Sequence, residues 1–277
     1  ETIMKDSSVR KYVRDRYAGI ASKGGSCCAP KASCCAGSAA DALSRKIGYS
    51  EEQVKAVPEG ANLGLGCGNP IALASLGIGE TVLDLGSGAG FDCFLAARAV
   101  GHEGRVIGVD MTPEMIEKAR ENARRGGYGN VEFRLGEIEH LPAADGSVDV
   151  VISNCVINLS TAKDKVFAEA FRVLKNGGRL MISDLVLARE LPQLVAGSLA
   201  AYAGCISGAV MKDAYLRMIE AAGFRDVRIE EENSFSFGED ETDSYAKPVA
   251  EAFDIPIDAV RGAAGAIVSI RVSGKKP

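Results

Sequence analysis

The chain has 277 residues, a net charge of -5, 32 glycines, 6% aromatic residues and no tryptophan. That length suits one large α/β domain or two small ones. The acidic balance, with no Lys/Arg block, excludes a basic footprint for nucleic acid.

Taken in chain order, VRKYVRDRYAGIA predicts a helix near the start. GGSCCAPKASCCAGSAA follows, and its Gly, Ser and Ala content predicts a loop or mobile arm. Ser50 to Val57 predicts a short helix, and ANLGLGCGNP a Gly-rich turn closed by Pro70. From Gly79 the pattern alternates: ETVLDLG as strand, Phe91 to Val100 as helix, RVIGVD as strand. The next helix, TPEMIEKARENARRGG, has Thr112 as N-cap, Pro113 in its first turn, late arginines and Gly126 as its stop. VEFRLG and SVDVVISN predict strands, a helix runs from about Ala162 to Lys175, and GGRLMISDLV predicts a strand. This alternation predicts an α/β fold, a mostly parallel sheet with helices on both faces.

Leu191 to Met211 is uncharged and as long as a membrane span, but Pro192 and several Gly and Ser dilute it. It reads as helix and loop over a core, so no membrane partner is expected. Beyond it come a helix from Met211 to Gly223, a strand in RDVRIEEENSF, an acidic loop in GEDETDSYAK and a last strand in AIVSIRVSG. The final two strands are expected to pair antiparallel.

DLGSGAG, Asp84 to Gly90, joins the first strand to its helix. Gly86, Gly88 and Gly90, with Ser87 between, let the backbone turn sharply against a ligand. The spacing G-x-G-x-G lacks the third glycine of a dinucleotide fingerprint. Asp84 adds an acid that suits a cationic group, and Asp110 ends the second strand where an acid accepts ribose hydroxyls. Met111 is placed to pack on an adenine face. A nucleoside with a positive, phosphate-free tail describes S-adenosyl-L-methionine, and the arrangement resembles the class I methyltransferases. That resemblance implies a Rossmann-like core, with Glu137 and Ile138 beside the adenine. Asn154 is expected to face the cofactor.

Eight cysteines occur, with no visible secretory leader, which predicts a cytoplasmic setting and free, ligating or redox thiols. Cys93 sits among apolar residues and reads as an inert buried thiol. Cys155 ends the fourth strand, at the edge where open sheets bind ligands. Cys205 and Cys67 lie in segments that can reach that edge. The two histidines, His102 and His140, both read as surface residues, so no obvious base serves oxygen or nitrogen methylation. Three converging thiolates suit a soft centre such as arsenic(III), whose lone pair needs no base.

SNCVINL, LGLGCGNP and AGCISGA, with DLGSGAG and GVDMTPEM, resemble the arsenite S-adenosylmethionine methyltransferases. The resemblance implies arsenic(III) held by Cys67, Cys155 and Cys205, with Cys34 or Cys35 as a further thiol. It also implies arsenite or its thiol conjugates as substrate, a disulfide relay between Cys67 and the N-terminal cysteine, and thioredoxin or glutathione as reductant. Expected units are residues 1–78 (helix, cysteine arm and Gly-rich turn), 79–186 (cofactor core) and 187–277 (a capping insertion and terminal strands). Two alternatives stay open: a methyltransferase for another small molecule such as a quinone, and a thiol-rich protein that binds metalloids without catalysis.

Overall fold

The computed structural model describes residues 6–23, 36–70, 75–234, 247, 250–263 and 265–277. Among the described residues three helices come first: α1 (Asp6–Lys23), α2 (Ala36–Lys46) and α3 (Glu51–Ala56). The alternating core follows as β1 (Thr81–Leu85), α4 (Phe91–Val100), β2 (Arg105–Asp110), α5 (Pro113–Gly126), β3 (Val131–Leu135) and β4 (Val148–Asn154). A 3₁₀ turn (Ile157–Leu159), α6 (Lys163–Val173) and β5 (Leu174–Leu187) complete it. Short helices α7 (Gln193–Ala196) and α8 (Leu199–Ala203), then α9 (Lys212–Ala221), β6 (Arg225–Ser234), α10 (Ile257–Ala263) and β7 (Ile267–Lys275), end the chain.

The seven strands form one sheet in the order β3-β2-β1-β4-β5-β7-β6. Strands β1 to β5 run parallel, and β7 pairs antiparallel with both β5 and β6. This is the Rossmann-like architecture of class I methyltransferases expected from the motifs. β1 pairs with β2 on one side and β4 on the other, so the order reverses there and a crevice opens at the strands' carboxyl ends.

Alternation along the strands builds both apolar layers. Leu83, Leu85, Ile107, Val109 and Val151 pack on one face with Phe167 and Tyr215. Val82, Val106, Val150 and Ile152 pack on the other with Phe94, Ile116 and Ala119. Residues two apart share a face because strand side chains alternate. Burying each large aliphatic side chain contributes roughly 1.5–3 kcal/mol, and here that holds the strand ends rigid.

Two differences from the expected elements have clear causes. Ala36–Ala40 belongs to α2 and not to the preceding loop, because a run rich in alanine favours helix despite its Gly and Ser. Gly127, at φ 70°, is the residue that ends α5, with its N–H on Ala123 O and Arg124 O. Gly126 instead permits close packing, since a Cβ there would meet Pro58 and Tyr128 at 2.7 and 2.8 Å. Within 191–211 the structure has the expected helix and loop, as α7 and α8, and no helix among the described residues is long and apolar enough to cross a membrane. α10 lies in a stretch for which the sequence suggested no element.

Candidate functional site

Asp84 and Gly86–Ala89 rim a cleft at the switch point. Gly86, Gly88 and Gly90 all take positive φ, at 66°, 52° and 96°, which an L side chain resists. A Cβ on Gly90 would stand 2.7 Å from Phe94 Cε2 and 2.8 Å from Phe133 Cζ. Gly90 thus supplies the close helix–strand packing for which the G-x-G-x-G spacing lacked a residue. Ser87 points a buried hydroxyl with no partner among the described residues. Asp110 accepts from the backbone N–H of Gly88 at 3.0 Å and of Thr112 at 2.8 Å. Burial pushes its carboxyl up, and those N–H groups partly offset the rise. Met111, Glu137, Ile138 and Asn154 line the same cleft.

An acid pair closes the floor. Asp84 is 3% exposed and Asp92, on α4, is 8% exposed. Burial raises both carboxyls, and for Asp84 the charge of Asp92 adds to the rise. Tyr49 donates to Asp92 Oδ1 at 2.6 Å. Asn154 Nδ2 donates to Asp92 Oδ2 at 3.1 Å, to the Tyr49 hydroxyl at 2.8 Å and to Gly68 O at 2.8 Å. Its Oδ1 accepts the Cys67 N–H at 3.1 Å, so Asn154 ties the Gly-rich turn to the acid pair. Cys93 is buried as expected, yet it is not a bystander: its thiol donates to Asp84 Oδ2 at 3.2 Å. A pair of carboxyls raised by burial suits a cationic ligand, because a positive group restores their charged forms.

α1 lies across the cleft. Arg10 reaches Glu137 at 3.0 Å and Glu139 at 3.7 Å. Val9 and Val13 pack with Cys155, Leu159, Leu185 and Tyr202. Lys118 on α5 donates to Ala21 O at 3.2 Å, fixing the far end of the helix.

The three cysteines expected at the edge meet in one cluster: Cys155 and Cys205 are buried, and Cys67 packs against them half-buried. Cys155 sits at φ 59° and Cys205 at φ 64°. Left-handed backbone costs a non-glycine residue roughly 1–2 kcal/mol, so both thiols are held there against a local preference. Cys205 Sγ donates to the Cys155 carbonyl at 2.7 Å. Cys67 Sγ faces Ser183 O at 3.7 Å. Burial is the main cause that pushes the Cys67 thiol up, to about 11. The Cys155 thiol also rises: hydrogen bonding with Cys205 lowers it, but Cys67 and burial more than offset that. Burial thus disfavours the thiolates of Cys67 and Cys155, and a thiophile that binds them displaces their protons. Cys155 also lines the cleft, so it joins the two sites.

Asp184, on β5, was not singled out in the sequence. It is fully buried, and its carboxylate lies within 4.8 Å of Cys67 Sγ and Cys155 Sγ. Asn158 Nδ2, Tyr215 O–H and the Leu185 N–H each donate to it at 2.9 Å. One acid inside LMISDLVL was the available signal, since buried charges need a reason. Cys34 and Cys35, with Cys27 and Cys28, lie outside the described residues. His102 and His140 are exposed, as expected.

A methyltransferase-domain family matches residues 77–223. The arsenite methyltransferase of Halobacterium salinarum is 52% identical over 239 residues, covering 83% of this chain and 61% of that protein. The human arsenite methyltransferase is 39% identical over 152 residues, covering 52% of this chain and 40% of that protein. The chain therefore spans about three fifths or less of these relatives' own length. A crystal structure of an arsenic(III) S-adenosylmethionine methyltransferase from Chlamydomonas reinhardtii superposes with a TM-score of 0.60 at 34% identity, covering 83% of this chain and 72% of that one.

Proposed function

This chain belongs to the arsenite S-adenosylmethionine methyltransferase family of class I methyltransferases, and on that premise we propose that it methylates arsenic(III) held by Cys67, Cys155 and Cys205. The observation that carries the reading is Cys155, which is shared by the thiol cluster and the acid-floored cleft.

The cleft fits S-adenosyl-L-methionine on its own chemistry. Its glycines leave backbone exposed, its lining brings Asp110 and Met111 together with the acid pair, and that pair wants a cation. When bound, that cofactor supplies an electrophilic methyl on sulfur. Asp110 would hold the ribose hydroxyls, Met111 and Ile138 would flank the base, and Asp84 and Asp92 would take the cationic amino-acid end. Glu137, tied to Arg10, closes the rim. Cys67, Cys155 and Cys205 displace the oxygen or thiol ligands of arsenite or its conjugates. Their three sulfurs leave the arsenic lone pair free as nucleophile, so no side-chain base is required. Clustered apolar side chains from α1 and α8 exclude water and fix the reacting geometry.

The finer part of the reading is redox. Methyl transfer raises arsenic formally from +3 to +5. Cys67 and Cys34 or Cys35 return two electrons by closing a disulfide, with loss of two protons. Thioredoxin or glutathione then reopens it. A non-catalytic thiol trap would have no use for an acid-floored nucleoside cleft.

The test incubates the protein with arsenite, labelled S-adenosylmethionine and a dithiol, and resolves arsenic species by chromatography with mass detection. Methylated arsenic is expected, and Cys155→Ser should abolish it while keeping cofactor binding. Full activity in Cys155→Ser would remove that residue from the site.

A further inference from the structure

We propose that Cys67, Cys155 and Asp184 form a site for a divalent thiophilic cation of the zinc class, and that a cation held there excludes arsenic(III) from the pocket. The exclusion rests on the function proposed above; the cation site does not.

The donor set comes first. Two sulfurs and one carboxylate oxygen lie mutually within 4.8 Å. A tetrahedral zinc with bonds of about 2.3 Å to sulfur and 2.0 Å to oxygen needs donor separations of roughly 3.5–3.8 Å, an adjustment within side-chain rotation. Arsenic(III) on three sulfurs has no use for a hard oxygen donor, whereas zinc accepts thiolate and carboxylate together.

The carboxylate is also prepared as a ligand. It is fully buried, and no ion pair among the described residues reaches it. Lys163, the nearby buried cation, donates to Ser160 O at 2.9 Å and acts on the carboxylate through its charge, without an ion-pair contact. The phenol of Tyr215 and the amide of Asn158 fix the carboxylate's orientation from behind, as outer groups do around bound metals. Cys205, donating to the Cys155 carbonyl, stands outside this set of three and leaves the fourth position to water. Binding is a ligand exchange without redox. The cation displaces one proton from each thiol to solvent and accepts the ionised carboxylate, so two protons leave per cation.

One pocket therefore offers two overlapping sets. Three sulfurs serve arsenic(III), and two sulfurs with one oxygen serve the cation. Cys67 and Cys155 belong to both, so occupation is exclusive.

The experiment uses the full chain with Cys27, Cys28, Cys34 and Cys35 changed to serine, which removes competing thiols. Zinc(II) is titrated against a chromophoric chelator, and arsenite binding is measured with and without zinc. One equivalent of zinc should bind, and zinc should raise the arsenite concentration needed for half-saturation. Asp184→Asn should lower the ratio of zinc to arsenic(III) affinity by at least about tenfold, in line with the loss of a metal-site partner. Cys205→Ser should shift the ratio the other way. Because a ratio is read, a general loss of folding does not mimic the result. X-ray absorption of the zinc-loaded protein, with Asp184 intact, should count two sulfurs and the remainder lighter donors. An unchanged ratio in Asp184→Asn, three sulfurs around zinc, or arsenic(III) bound alongside zinc would each overturn the proposal. Failure of arsenite to bind without zinc would instead count against the proposed function, while the zinc titration still decides the cation site.

Discussion

Replacing Gly90 by alanine separates two costs that the loop hides. Gly90 has φ 96°, where a side chain is strained by roughly 1–2 kcal/mol. Its added Cβ would stand 2.7 Å and 2.9 Å from Phe94 and 2.8 Å from Phe133. Neither ring can retreat easily. Phe94 is 0% exposed, with Tyr128 at 4.6 Å and Phe133 at 5.8 Å between ring centres. Overpacking of this kind costs roughly 1–3 kcal/mol. Together they predict a loss of about 2–5 kcal/mol, or about 5–20 °C in melting temperature. Gly88→Ala is the control: its φ is 52°, but its Cβ would meet nothing within 4 Å. Urea unfolding of both variants should therefore differ by the packing contribution, about 1–3 kcal/mol. Equal losses would refute the claim that Gly90 serves helix–strand packing.

Further outcomes concern the cofactor and the thiols. Tyr49→Phe removes a donor that holds down the Asp92 carboxyl, so that carboxyl rises further and is less ionised at neutral pH. Calorimetry with S-adenosylhomocysteine should show about tenfold weaker binding, from a lost charged hydrogen bond of roughly 1.4 kcal/mol, shrinking as pH rises; unchanged affinity would remove Tyr49 from the network. Arg10→Ala should speed cofactor release in stopped flow while lowering stability by less than about 1 kcal/mol, as a partly exposed ion pair predicts. A release rate equal to the parent's would deny α1 a closing role. In the ligand-free protein, Cys67 alkylation should rise with pH to an inflection near 11, not near 9, because burial disfavours its thiolate; an inflection at 9 would contradict the burial.

The sheet was legible because hydrophobic runs, glycine turns and helical caps are local signals. β1 to β5 and their helices fall where alternation put them. The phosphate-free loop was legible too, through Asp84 and Asp110. What escaped was held together across the chain. Tyr49 meets Asp92 across 43 residues, and Asn154 meets Cys67 across 87. No spacing rule reports such partners. Asp92 and Asp184 carried a faint mark, each an acid inside an apolar run, but its meaning depends on which strands lie alongside. Cys93 is buried as its apolar neighbours predicted, but those neighbours gave no sign of the carboxylate its thiol faces.

The left-handed backbone at Cys155 and Cys205 leaves a trace that reaches beyond this molecule. At such positions glycine, asparagine and aspartate are at home, and cysteine is a tenant kept by its chemistry. A descendant released from thiol chemistry should therefore drift at these two sites toward those three residues. Cys67 carries no such positive φ and should drift more freely. Reading positions 155 and 205 in a lineage would then separate working thiol sites from retired ones before any assay is run.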